Sequence, residues 1–280
     1  MSGREVLPMY EKILNGLMSP HKLVFKTWHA LDVGSFRARL AYDVFERPHY
    51  AYCLFHAARL AHALGHDRIS AMEFGVAGGR GLMALEDLAL RVQKEVPVQI
   101  EIYGFDTGEG LPEPVDYRDL PYIWKAGFYR MDQEALRSKL KLSKLVLGDV
   151  RDTVPNFFET YNAAPLGAAF FDLDFWSSTV EAFRILEAPH ERLLPRVFCY
   201  CDDVISVEYG GILNEHVGQL AAIRDYNRKH EMRKLAQIAG MSRTRKIPAA
   251  WNDQIYVHHT FEHPRYNEYV HPDPDRQLPL

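Results

Sequence analysis

Glu73, Asp106, Asp172 and the adjacent pair Asp202 and Asp203 each sit at or just beyond the end of a short apolar run. One acid in such a place is common; five of them at four places point to a site. In an open α/β sheet, ligands bind outside the carboxyl ends of the strands, which is where these side chains would gather. Glu73 leads into a glycine loop, Gly75-Val76-Ala77-Gly78-Gly79-Arg80-Gly81. Glycines let the backbone turn tightly and approach a ligand without Cβ clashes. The loop opens a helix, whose free N–H groups favour a negative group such as a carboxylate. Its spacing, Gly-x-x-Gly-Gly-x-Gly, differs from the GxGxxG of dinucleotide-binding dehydrogenases. An acid two residues before the first glycine would stabilise a cationic aminoacyl group, and Asp106 is placed to accept hydrogen bonds from ribose hydroxyls.

Asp172, Asp202 and Asp203 form a second constellation. Adjacent central strands would bring the three carboxylates together, and uncompensated they would repel and raise at least one pKa. A divalent cation resolves that conflict. An all-oxygen set suits Mg²⁺, with Mn²⁺ or Ca²⁺ as alternatives, and does not suit zinc. None of the thirteen histidines adjoins these acids in sequence. The plain alternative is that Asp202 and Asp203 cap a helix or pair with arginines. Asp174, two residues past Asp172, is the candidate general base, or a group supporting one.

These acids need a framework, and the hydrophobic pattern supplies it. Strands are expected at 69–74, 98–105, 145–147, 168–171, 197–201, 235–239 and 255–261, with helix-length patterns between most of them, which means βαβ units and a mostly parallel sheet. The run 168–171 is apolar throughout, as in a central strand buried on both faces. Cys199 and Cys201, two apart on a strand, face one side and read as core; Cys53 completes no even-numbered disulfide framework. A helix starts at Pro48, a good first helical residue, with Leu54, Ala57, Ala58, Ala61 and Leu64 inward, His56, Arg59 and His66 outward, and Gly65 closing it. Ser178 and Glu181 read as a capping box. A further helix is expected over 213–230. The insert from Gly108 to about Asp132 is rich in Pro and Tyr, and Tyr117, Tyr122 and Trp124 could line a lid or simply pack. Arg243, Arg245 and Lys246 read as a solvated loop.

Five segments, in order, carry a family resemblance: 73–79, 104–112 (Gly-Phe-Asp-Thr-Gly-Glu-Gly-Leu-Pro), 148–155 (Gly-Asp-Val-Arg-Asp-Thr-Val-Pro), 172–179 (Asp-Leu-Asp-Phe-Trp-Ser-Ser-Thr) and Asp202-Asp203. Together they resemble the macrocin O-methyltransferase family, class I S-adenosylmethionine (SAM)-dependent, metal-dependent enzymes that methylate sugar hydroxyls of natural products. The resemblance spans roughly residues 68 to 260. It implies a Rossmann-like three-layer sandwich with a mostly parallel seven-stranded sheet. It also implies SAM bound by Glu73, Gly75, Val76, Ala77, Gly78, Gly79, Asp106, Thr107 and Asp172, with the adenine near Asp149 and Val150. Mg²⁺ would be held by Asp172, Asp202 and Asp203, and Asp172 and Asp174 would carry the chemistry on a small-molecule hydroxyl. Two other readings stay open: a NAD-dependent oxidoreductase, which leaves Asp202 and Asp203 unexplained, and a SAM-binding protein without catalytic activity.

Composition agrees with an ordinary globular enzyme: 47% hydrophobic, 25% charged, net charge −4. That charge argues against nucleic acid as a partner. No apolar stretch approaches a membrane span, and the N-terminus lacks a basic region followed by an apolar run, so a cytoplasmic location is expected. The expected organisation is a helical extension over 1–66, a methyltransferase domain over 67–265 and a flexible tail over 266–280. A homo-oligomer is left open.

Overall fold

Along the central strands, successive side chains part to opposite faces, and both faces are apolar. Ile69, Ala71, Ala168, Phe170 and Tyr200 enter one hydrophobic cluster, while Met72, Phe74, Ala169, Phe171, Cys199 and Cys201 enter another. A sheet buried on both faces must be the middle layer of three. The computed structural model describes residues 20–205, 212–273, 275 and 277. Its strands are β1 (Arg68–Phe74), β2 (Gln99–Asp106), β3 (Lys144–Leu147), β4 (Leu166–Phe171), β5 (Leu193–Cys201), β6 (Arg233–Gln237) and β7 (Ile255–Thr260). The order is β3-β2-β1-β4-β5-β7-β6. The first five strands are parallel, but β7 runs antiparallel to both β5 and β6, so the sheet is mixed.

The helices are α1 (Pro20–Leu31), α2 (Phe36–Ala41), α3 (Pro48–Ala63), α4 (Arg80–Glu95), α5 (Gln133–Lys139), α6 (Val150–Thr153), α7 (Phe157–Tyr161), α8 (Trp176–Ala182), α9 (Gly218–Lys229) and α10 (Met241–Thr244). Buried residues of α2, α3 and α4 pack on one face of the sheet, and those of α6, α7, α8 and α9 on the other. The three cysteines are free and buried. No helix among the described residues is long and apolar enough to cross a membrane.

Several local expectations are corrected. Helix α3 is buried nearly all round, and His56 is half-buried against Tyr52 and Phe198, with burial pushing its pKa down to about 4. Arg245 is not solvated: it pairs with Asp43 and lies over Trp251. Helix α8 begins at Trp176, two residues before Ser178, so the Ser178–Glu181 capping box does not form. Helix α9 starts at Gly218 rather than near Leu213. The part of the helical extension over residues 1–19 and the tail residues 274, 276 and 278–280 lie outside the described residues.

Candidate functional site

The loop after β1 is shaped by its neighbours. Gly75 has φ +87°, and a Cβ there would stand 1.7 Å from the Asp172 carbonyl oxygen, so only glycine fits between the ends of β1 and β4. Asp106, at the end of β2, holds the same loop from the other side. Its Oδ2 accepts from the Val76 and Ala77 N–H groups at 2.8 Å each, and its Oδ1 accepts from Gly108 N–H at 2.7 Å. Three backbone donors thus occupy most of the carboxylate that the sequence assigned to a ribose, and Asp106 is first an organiser of the glycine loop.

Around this loop lies a cavity of about 530 Å³ at the carboxyl ends of the strands. Among the described residues, seven carboxylates line it, Glu73, Asp106, Asp149, Asp172, Asp174, Asp202 and Asp203, against two cations, Arg47 and Arg80. Gly75, Val76, Ala77, Gly78, Thr107 and Val150 are on the wall as well. Gly78 has no atom within 4 Å of where its Cβ would be, so it faces open space. Gly79 is not on the wall; it adopts φ +77° at the N-cap of α4, where a Cβ would strike Leu136. Asp149 caps α6 through Arg151 N–H at 2.8 Å. Of the insert aromatics, Trp124 reaches the wall, joined by Tyr129, while Tyr117 and Tyr122 are exposed.

Glu73 is 2% exposed. Tyr50, from the first turn of α3, donates to its Oε1 at 2.8 Å, and Oε2 has no partner. Burial pushes the Glu73 carboxyl up to about 7; the Tyr50 hydrogen bond and Arg47 oppose that shift without cancelling it, and Asp106 adds to it. A buried acceptor without a donor, facing a cavity, is what a cationic ligand group would complete. Tyr50 and Arg47 carry no local signal in sequence, because the first turn of α3 meets Glu73 only through the fold.

Asp172, Asp202 and Asp203 each offer a carboxylate oxygen, and these lie within 4.8 Å of one another. Burial raises the Asp172 pKa well above the usual range, and Asp202, Asp203 and Glu73 raise it further. Asp203 is raised by burial, Asp174 and Asp202. Asp174, at φ +59°, is pushed up to about 8 by burial and by Asp172 and Asp202. Neighbouring groups fix these acids in place. Tyr200 donates its hydroxyl to Asp202, Gln219 Oε1 accepts from Asp203 N–H at 3.0 Å, and Asp203 Oδ2 accepts from Asp174 N–H at 2.9 Å. The Asp172 carboxylate accepts no hydrogen bond among the described residues. Three converging carboxylate oxygens, with the Asp172 and Asp203 carboxyls raised by burial and by their acidic neighbours, fit a hard divalent cation.

The insert is pinned beside this site. Asp119 is fully buried; it accepts from Ser177 N–H and Ser177 Oγ at 2.8 Å each and from Val115 N–H at 2.8 Å. Arg118 stacks on the Trp176 ring with its Cζ 3.3 Å from the centroid. Asp119 therefore caps α8 from a distant segment, which explains why α8 starts without a cap of its own.

No family model matches the chain, and no curated protein matches it. Among solved structures, the O-methyltransferase NovP aligns with a TM-score of 0.51 at 14% identity, over 76% of this chain and 79% of that one. The calicheamicin methyltransferase CalS11 aligns with a TM-score of 0.48 at 24% identity, over 74% and 77%. At these identities the likeness is one of fold.

Proposed function

We propose that the chain is a SAM-dependent O-methyltransferase acting on a hydroxyl of a small molecule, with a divalent metal at Asp172, Asp202 and Asp203. The observation that carries this is the charge of the cavity: seven carboxylates against two arginines select a cationic ligand. SAM, with a sulfonium and an ammonium, is such a ligand and supplies an electrophilic methyl group. Its shared fold with NovP is consistent with that choice. The resemblance to the macrocin O-methyltransferases, and with it a sugar hydroxyl as acceptor, rests on the five sequence segments.

In this reading Glu73, held by Tyr50, receives the ammonium on Oε2. Gly78 leaves room for the aminoacyl backbone, and Val150 borders the adenine. Methyl transfer from a sulfonium is an in-line displacement that expels a neutral thioether, so the protein needs no general acid; it must align the acceptor and help remove its proton. A metal bound by the three aspartates would lower the acceptor hydroxyl's pKa and fix its position. Asp174, with its pKa near neutrality, would take the proton from that hydroxyl. Trp124 and Tyr129, on the pinned insert, line the cavity and would help to exclude water from it.

Calorimetry with SAM and with NAD, each with and without Mg²⁺, tests the assignment. SAM should bind and NAD should not. Magnesium should raise the melting temperature of the wild type, by an amount growing with the logarithm of free metal, and the Asp202→Asn, Asp203→Asn double variant should lose that response while keeping SAM binding. NAD binding without SAM binding would overturn the donor, and an unchanged melting temperature across a magnesium titration would overturn the metal.

A further inference from the structure

At the amino ends of the strands, opposite the acidic cavity, α2, the second half of α3, the end of α4, β5 and the segment after β7 enclose a groove of about 720 Å³. Its charge is reversed. Arg37, Arg59 and Arg196 line it, together with three histidines, and the one carboxylate on its wall among the described residues is Glu95. The chain as a whole carries −4, so this concentration of cations runs against its average.

The arginines lack carboxylate partners. None of the three forms an ion pair among the described residues, whereas Arg39, Arg91, Arg233 and Arg245 each meet an acid. Arg37 and Arg59 are held instead by one buried ring: their Cζ atoms lie 5.9 and 5.8 Å from the centroid of Phe55. At such distances the ring's quadrupole attracts each guanidinium only weakly. Arg196 donates Nη1 to the Tyr266 carbonyl at 3.3 Å and leaves Nη2 enclosed without a partner. The nearest acid in the following tail, Asp273, turns one oxygen to Asp275 N–H. Between the cations the groove is apolar, with Leu60, Phe198 and Val270, and Tyr269 is exposed at its edge.

We propose that this groove is a second ligand site, for a small aromatic molecule bearing a phosphate or diphosphate. Guanidinium groups recognise phosphate oxygens in bidentate pairs, and the apolar wall with Tyr269 offers a surface for a flat ring. The volume lies in the range of small-ligand sites rather than of flat protein interfaces. The groove and the acidic cavity share no lining residue, so its ligand is independent of what the acidic cavity binds.

ADP is the probe, titrated calorimetrically without divalent metal so that the aspartates cannot recruit it through a cation. Wild-type protein should bind ADP, more weakly as sodium chloride rises. An Arg37→Gln, Arg59→Gln double variant should bind it at least about tenfold more weakly, the loss expected for charge-assisted hydrogen bonds. Arg59→Lys, which keeps the charge on a different shape, should fall between the two and guards against a folding defect in the double variant. Saturating S-adenosylhomocysteine should leave ADP binding in place. The proposal is wrong if wild type shows no ADP binding, if the double variant binds like wild type, or if Arg47→Gln abolishes binding while the double variant does not.

Discussion

Glu73 offers the sharpest test of the donor site, because its ionisation should set the affinity for SAM. Its carboxyl is raised to about 7, chiefly by burial. Only the ionised form attracts an ammonium, so the apparent affinity follows the ionised fraction. Between about pH 5.5 and 7.0 that fraction rises from roughly 3% to roughly half, a gain of about fifteenfold, while an α-amine remains protonated throughout. Calorimetric titration of wild type across this window should show SAM binding strengthening by about that factor. Glu73→Gln keeps an oxygen for the Tyr50 hydroxyl and the same volume but cannot ionise. Its affinity should be weaker than that of wild type at about pH 7 and nearly flat with pH.

The same group makes a statement about stability. A carboxyl raised from 4.5 to about 7 on folding holds a proton in the native state that the unfolded chain has released. Stability therefore falls as pH rises through that window, by about 3 kcal/mol from a fully buried group, and stays low above it. SAM should offset the loss by supplying the missing positive charge. Equal SAM affinity for wild type at both ends of the pH window, or the same slope in Glu73→Gln, would refute the reasoning.

Asp106→Ala removes an acceptor from three backbone N–H groups, and SAM affinity should fall by roughly tenfold to a hundredfold, measured by calorimetry. Unchanged affinity would mean the loop keeps its shape without the carboxylate. Gly78→Val fills open space on the cavity wall, so SAM binding should vanish with the melting temperature little changed. Asp119→Ala strands the Val115 and Ser177 donors and frees the insert; chemical denaturation should show a loss of about 2–4 kcal/mol, with the far-UV spectrum retained.

Much of the framework was legible in sequence because its signal is local. Continuous apolar runs such as 168–171 mark buried strands, and acids immediately beyond them mark the strand ends that face the cavity. Other features depend on partners far along the chain. The start of α8 has no local signal, because its cap, Asp119, comes from an insert 58 residues before Ser177. Tyr50 reads as one more core aromatic until the fold brings it to Glu73. Strand β5 starts at Leu193 rather than 197, and Pro195 is accommodated where the pairing with β4 shifts register between Leu166 and Ala168. Antiparallel β7 could not be told from a parallel strand, since alternation is the same in both directions.

The glycine loop itself shows how an α/β sheet can be turned from one class of ligand to another. A dinucleotide site presents the N–H groups of such a loop to a pyrophosphate. Here the Val76 and Ala77 N–H groups are already satisfied by Asp106, so an incoming phosphate would have to displace a carboxylate. It would also approach Glu73 and Asp172, whose ionised forms repel it, with Arg47 and Arg80 the only cations on the wall among the described residues. The raised pKa values of Glu73, Asp172, Asp174 and Asp203 record the same conflict from the inside: the acids crowd more negative charge together than they can keep ionised by themselves. A sulfonium with an ammonium at one end and a divalent cation at the other would relieve both groups of acids at once. Because both draw on one field of acids, binding of either should change the affinity for the other, and calorimetric titration of SAM with and without Mg²⁺ and of Mg²⁺ with and without SAM should read the same shift in either order.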